Sequence, residues 1–412
     1  MKRISLFLLL FLLLKATVMY SQDGHPETNF RIVPVSPNAA SLGTYGLIPT
    51  DNYVGQARIS IPIYEIDLDG KKFPIALSYH TDGTRVAQEA TWIGLGWTLQ
   101  AGGCVVRQVQ GTDDFAARGC YNLTDAPWLT NPRFEVTDQN LEKYMGYFKG
   151  DYDAEPDMFY FNAGGHSGSM YFDVLKNNRQ LNAVPTIQTQ EKVVKMVYNT
   201  SNKTWTMTDL EGYVYSFSTK EITYYFLNTI DFFQTDITRS HIFPYYNEPQ
   251  IVTAWMLDSV TSPNGGKITF SYKKESIFTP ISTTEDVISL SKIVNGQLSS
   301  QSPQYFTNKF NYNYSYSKIE QWTLSAITFE GGKVEFGTTD REDIESAETG
   351  KKVQKLSSIK VSDTAGNLIK TTMLEYKYLL SGMAATTNGY DDRLLLSKVY
   401  DVAGSKKNNV YT

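Results

Sequence analysis

Apolar and polar residues alternate along this chain at a period of two, and glycine-containing turns cut the alternation into pairs. Between Phe310 and Ser317, four rings (Phe310, Tyr312, Tyr314, Tyr316) share one parity, and Asn311, Asn313, Ser315 and Ser317 share the other. Ala57–Ile63 places Ile59, Ile61 and Ile63 on one parity, and Phe73–Tyr79 follows shortly after Asp69-Gly70. Successive side chains of a strand point to opposite faces, so this pattern specifies strands with one buried face. Asp-Gly between two such runs specifies a tight hairpin. The chain carries 28 Tyr and 21 Phe, which suit a pleated, half-buried surface. The expected class is all-β: multi-hairpin antiparallel sheets, as a sandwich or an open shell-like array, with one short helix. That helix is expected at Asp138–Lys149, where Leu141, Tyr144, Met145 and Phe148 follow the spacing i, i+3, i+4, i+7 between a capping Asp138 and a terminating Gly150.

The hairpins repeat at low fidelity. Trp255-Met-Leu-Asp-Ser-Val-Thr leads to Gly265-Gly266-Lys267-Ile268-Thr-Phe270, and Trp322-Thr-Leu-Ser-Ala-Ile-Thr leads to Gly331-Gly332-Lys333-Val334-Glu-Phe336. Related units surround Gly212, Gly366 and Gly404. A lone hairpin is marginal in water, so stacked units must supply the buried face. A soft boundary near residues 180–195 divides an opening β module (22–190) from a hairpin array (191–412). The opening module carries a polar excursion at 111–156. The array stops partway through the return strand that begins near Asn409, so a downstream segment or an envelope protein is expected to cover its last edge.

Met1–Ser21 reads as a secretory leader: Lys2 and Arg3 precede an apolar run too short to span a bilayer, and Ser21 suits a cleavage position. No other stretch approaches membrane length. The expected location is therefore outside the cytoplasm: secreted, periplasmic or at the cell surface. Cleavage removes Lys2, Arg3 and Lys15 but no acid, which takes the formal charge from −5 to −8. An acidic chain without a basic run argues against nucleic-acid binding. Cys104 and Cys120 are the two cysteines. In an oxidising compartment they form a candidate disulfide, whose loop would contribute about 3 kcal/mol in the chain-entropy picture. The alternative is a strand residue and a loop thiol.

No catalytic constellation emerges. Gly165-His166-Ser167-Gly168-Ser169 lacks the glycine that a nucleophile elbow needs two residues after the serine, and its flanks read as strands. A hairpin turn accounts for it. Asp151, Asp153, Glu155 and Asp157 alternate, and Asp151, Asp153 and Asp157 are candidate calcium ligands. Pro156 stands where an EF-hand loop needs glycine, so a solvated acidic loop is the simpler reading. The four histidines are scattered, and no cofactor is expected. Tyr312, Tyr314 and Tyr316 could form a sugar-stacking platform or an ordinary inner β face. Trp92, Trp97, Trp255 and Trp322 are expected to be structural anchors. Gly94 and Gly96 allow close packing beside the first two.

Several pieces in combination carry a family resemblance: SPNAASLGTYG (36–46), ISIPIYEI (59–66), FPIALSYH (73–80), EATWIGLGWTLQAGG (89–103), EPDMFYFNAGGHSGSMYFD (155–173) and the W-x-L…G-G-K-x-x-F units. Together they resemble the N-terminal region of large secreted Rhs/YD-repeat proteins of Gram-negative bacteria. GLGWTL also resembles an element of toxin-complex B components. The resemblance implies a β wall built from strand pairs, which in fuller relatives forms a shell around a toxin. This chain shows no run of YD-type repeats, no Rhs core and no toxin tail. The expected function is a non-enzymatic structural or interaction module at the envelope or outside the cell. The alternative is a carbohydrate-binding surface protein with glycans as ligand.

Overall fold

The computed structural model describes residues 33–45, 58–80, 88–116, 119–122, 141, 153, 155–173, 182–188, 194–230, 237–244, 250–290, 293–294, 297–298, 307–379, 392–403 and 406–411. The chain is mostly β, with large antiparallel sheets. The leader and Asp151 lie outside the described residues. So does the helix expected at Asp138–Lys149, apart from an exposed Leu141 in helical conformation.

A helix that the alternation did not suggest, α1 (Pro37–Tyr45), opens the described chain. Its local chemistry is nonetheless conventional. The Ser36 hydroxyl accepts the N–H of Ala39 at 3.1 Å, and Pro37, which has no N–H to satisfy, takes the first helical position.

Next come β1 (Arg58–Leu68), β2 (Lys71–His80) and β3 (Trp97–Gln100), which form a three-stranded sheet. β1 and β2 meet across Asp69-Gly70, with Leu68 opposite Lys71. Asp69 and Gly70 both take positive φ (50° and 90°), the geometry of the expected tight turn. β4 (Gly103–Gln108), β5 (Met158–Ala163) and β6 (His166–Tyr171) begin the large sheet. The Gly164-Gly165 link between β5 and β6 is the hairpin read at His166.

β7 (Asn182–Ala183), β8 (Thr186–Ile187), β9 (Val194–Asn199), β10 (Thr204–Asp209), β11 (Val214–Ile230) and β12 (Phe243–Pro244) follow. After them come β13 (Ile251–Thr261), β14 (Lys267–Phe278) and β15 (Ser282–Leu290). β16 (Ile293–Val294) and β17 (Gln297–Leu298) pair as a separate small ladder. β18 (Thr307–Phe329), β19 (Gly332–Asp340), β20 (Glu345–Ser346), β21 (Gln354–Ser362), β22 (Leu368–Leu379), β23 (Arg393–Ala403) and β24 (Lys406–Tyr411) complete the array.

Each hairpin read in the sequence is an antiparallel pair here: β10–β11, β13–β14, β18–β19, β21–β22 and β23–β24. The two tryptophan units behave alike. Ile268 and Phe270 in one, and Val334 and Phe336 in the other, are buried on the core face. The Trp255 indole N–H donates to Lys203 O at 2.8 Å, and that of Trp322 to Lys220 O at 2.7 Å.

β11, β13, β14 and β18 pair in a ring. β11 pairs with β13 along its first half and with β18 along its second, while β14 bridges β13 and β18. One hydrophobic core runs from Ile61 in β1 to Val399 in β23 and includes Ala183 and Val194, on the two sides of the expected module boundary. An aromatic cluster fills part of it, with Phe159, Phe172, Tyr198, Trp205 and Trp255 linked by ring contacts.

Candidate functional site

Three polar constructions sit where the opening segments meet the array. The first is built around Arg107, on the core face of β4, where it is 1% exposed. Its Nε donates to Asp157 at 2.8 Å, and its Nη2 bonds both Asp157 and Asp113. Phe115 and Phe159 lie against the guanidinium. Asp157 also accepts the backbone N–H groups of Gln110 (2.7 Å) and Asp114 (3.2 Å), and Asp114 accepts that of Asp157 (2.9 Å). Asp153 accepts from Thr112 and Glu155, both at 2.9 Å.

These carboxyl groups pull in different directions. Asp113 is held low, because Arg107 outweighs the burial that would raise it. Burial and then the nearby Asp157 push Asp114 up to about 9, and burial lifts Asp153 to about 7. Asp157 is also raised by burial, against the pull of Arg107. Asp114 Oδ1 is buried without a hydrogen-bond partner.

The second construction is a clamp on Ala90–Leu95. Arg341 and Asp343 are both buried and paired, with Nε to Oδ1 at 2.8 Å and Nη2 to Oδ2 at 2.6 Å. Arg341 also donates to Thr91 O (3.0 Å) and Ala90 O (3.2 Å), and Asp343 accepts Leu394 N (3.0 Å). Backbone bonds Leu356 N to Trp92 O and Leu95 N to Leu394 O complete the insertion. The two glycines of this motif have defined roles. A Cβ on Gly94 (φ 118°) would come within 2.9 Å of Leu396 N, and one on Gly96 (φ 75°) within 2.6 Å of the Tyr79 ring.

The third is the seat of α1. Residues 33–42 touch β4, β11, β13, β14 and β18. Ala39 packs with Cys104, Val106, Ala254 and Met256, flanked by Tyr272 and Trp322. Ser36 N donates to the fully buried Glu221 at 2.8 Å, and Asn38 bonds Gln321 and Trp92 N. Burial raises the Glu221 carboxyl. A cavity of about 40 Å³ beside the helix is lined by Asn38, Ser41, Thr91, Thr98 and Trp322 among others.

The structure revises several sequence expectations. Cys104 and Cys120 are free buried thiols. Cys104 faces α1, whereas Cys120 borders the carboxylates around Arg107 on the opposite face of β4, so no disulfide joins them. Asp153 and Asp157 do not line a solvated loop. They are buried, and backbone N–H groups and Arg107 occupy their oxygens. Among the described residues no group of three or more His, Cys, Asp or Glu is placed to hold a metal ion.

The tyrosine ladder offers no open platform. Tyr314 and Tyr316 are buried under Ile242, and Phe226 stacks on Tyr316 at 4.5 Å. Tyr312 is half-buried, and its hydroxyl donates to Glu285. Trp92 and Trp255 are buried anchors, whereas Trp97 and Trp322 are half-buried, Trp97 lying against Tyr79. Sequence reasoning missed Arg107, Arg341 and Glu221. Each is a charged residue in or beside a strand, and the sequence does not show which distant segment folds over it.

No family model matches the chain, and no curated protein matches it. Solved structures do match. One is the N-terminal domain of effector protein SpvB from Salmonella typhimurium strain LT2, with 11% identity, 84% of this chain and 98% of that one covered, and a TM-score of 0.37. Another is TcdB2-TccC3, with 10% identity, 92% and 16% coverage, and a TM-score of 0.38. A third is the Photorhabdus luminescens Tc holotoxin pore, with 10% identity, 92% and 16% coverage, and a TM-score of 0.39. The match thus takes in nearly all of the SpvB domain and a small part of the Tc chains. Likeness at this level carries neither activity nor partner across.

Proposed function

We propose that this chain is a structural and interaction module without catalytic activity. It would be the opening portion of a β shell of the Rhs/YD-repeat kind, exported from a Gram-negative cell and working at the envelope or outside it. One observation carries the reading: a single hydrophobic core runs from Ile61 to Val399, and the buried Arg341 ties Ala90 and Thr91 to the hairpin array. The Arg107 cluster fastens the turn after β4 to the start of β5, and the Arg341 clamp holds Ala90–Leu95 onto strands far away in sequence. Such groups make a wall rigid. The leader at Met1–Ser21 supports export.

The expected partner is another polypeptide. Among the described strand ladders, β24 lies antiparallel against β23. An unpaired row of N–H and C=O groups is a template for strand addition. Sedimentation of the full chain against a chain ending at Ala403 tests this. The full chain should self-associate with rising concentration, and the shortened chain should stay monomeric. A full chain that remains monomeric with β24 amides protected from exchange would remove the edge as a docking element. The mature N-terminus in the native host tests export: it should fall close to Ser21, and a cytosolic protein retaining Met1 would refute that part.

A further inference from the structure

The tip of the β1–β2 hairpin delivers Lys71 to Asp209 at the end of β10. The Tyr213 hydroxyl donates to the carbonyls of Leu68 (3.1 Å) and Asp69 (3.3 Å), and the Ser262 hydroxyl bonds the Asp69 carboxylate. The turn is thereby pinned, with Lys71 Nζ 2.6 Å from Asp209 Oδ2 and 2.9 Å from Glu211 Oε2. The Asp209 side chain is 1% exposed and that of Lys71 is 16% exposed. Tyr213 and Tyr215 wall the pair, and Phe73 packs on both rings.

The Asp209 carboxyl is surrounded asymmetrically. Oδ1 accepts two backbone N–H groups, from Glu211 (3.0 Å) and Tyr213 (2.9 Å). Oδ2 faces the amine, accepts the Tyr215 hydroxyl at 3.1 Å and lies 3.7 Å from His166 Nε2. One oxygen therefore sits in a nest of fixed donors, and the other faces proton-bearing side chains.

We propose that Lys71 and Asp209 condense into an intramolecular isopeptide bond that ties the opening hairpin covalently to the strand array. The Lys71 Nζ lone pair bonds to Asp209 Cγ. Negative charge develops on Oδ1, where the two backbone N–H groups stabilise it as an oxyanion hole does. Glu211 accepts a proton from the amine, and Oδ2 leaves as water, protonated through the adjoining His166 or Tyr215. One amine and one carboxylic acid become one amide and one water, with no oxidant or cofactor.

The reacting forms are the neutral amine and neutral acid, reached from the ion pair by moving one proton along the 2.6 Å bond. Burial pulls Lys71 down, but Asp209 and Glu211 outweigh it and raise the amine. Burial pushes Asp209 up, and Lys71 with the turn N–H groups outweighs it and lowers the acid. The neutral pair is thus the minor state, and the bond forms slowly, as a maturation step. It closes a loop across 138 residues, as a disulfide would in a chain whose described cysteines were paired.

Intact-mass spectrometry of the purified full chain, followed by digestion and fragmentation, tests this. The chain should weigh one water less than its sequence, and a branched peptide should join the Lys71 and Asp209 segments. Lys71→Arg keeps the charge and the ion pair but cannot form the bond, so it should show full mass. Glu211→Gln should slow conversion about 100-fold or more, the scale of a lost proton-transfer group. Full mass and linear peptides after prolonged incubation at neutral pH would overturn the proposal. So would a water loss that persists in Lys71→Arg.

Discussion

Around Arg107, four aspartates share the charge of one guanidinium, so protons must supply the rest of the neutralisation. Asp114 is raised to about 9 and Asp153 to about 7 by burial. Both therefore bind protons more tightly in the folded chain than in the unfolded one. A raised carboxyl gives its stability at low pH and loses it as pH climbs from the unfolded value toward the folded one. Between pH 5 and pH 9 the chain should lose stability, at about 1.4 kcal/mol per pH unit for each such group still protonated in the fold. Asp113 is lowered and titrates below this window. Urea midpoints across the window should fall with pH in the parent and fall less in Asp114→Asn, above pH 7 most of all; equal slopes would mean that Asp114 is charged. Trp92 belongs to the same scale. It is 6% exposed and contacts the Phe336 ring. Trp92→Ala should cost about 3–5 kcal/mol, and Trp97→Ala less, because that ring is only partly buried; thermal unfolding checks both. Aromatic anchors were legible because hydrophobicity marks them. The carboxylates were not. Asp157 looks like a solvent residue until Arg107, 50 residues away, is folded beside it.

At the scale of elements, hairpins are local and were readable. Asp69-Gly70 and the tryptophan units specify their turns with residues that lie next to one another. α1 needed a different cue. Its nine residues carry a weak apolar stripe, and the usable signal was Ser36-Pro37, a cap followed by a residue suited to the first turn. How Ala90–Leu95 threads between β21 and β23 was not readable at all, because Arg341 and Leu394 come some 250 and 300 residues later. Gly94 marks that contact in the sequence only as a glycine. Gly94→Ala forces a Cβ against the backbone of β23 at a φ of 118°. The expected loss is about 1–3 kcal/mol, read as a lowered urea midpoint with faster exchange at Leu95 and Leu394. An unchanged midpoint would mean that the two segments are not in contact.

Across the whole molecule, the all-β class followed from alternation, while the layout of the sheets did not. β11 and β18 each change partners along their length, and long strands with several neighbours have no signature in a period of two. The central claim is that the opening segments and the hairpin array share one core and act as one wall. Hydrogen exchange with mass spectrometry across a urea titration of the full chain tests it most directly. Peptides from β1–β3 and from β21–β23 should lose protection at one common midpoint, because Ile61, Leu77, Leu356 and Val399 lie in the same core. Loss of protection in β1–β3 at clearly lower urea, with β21–β23 still protected, would contradict it and leave two separate modules.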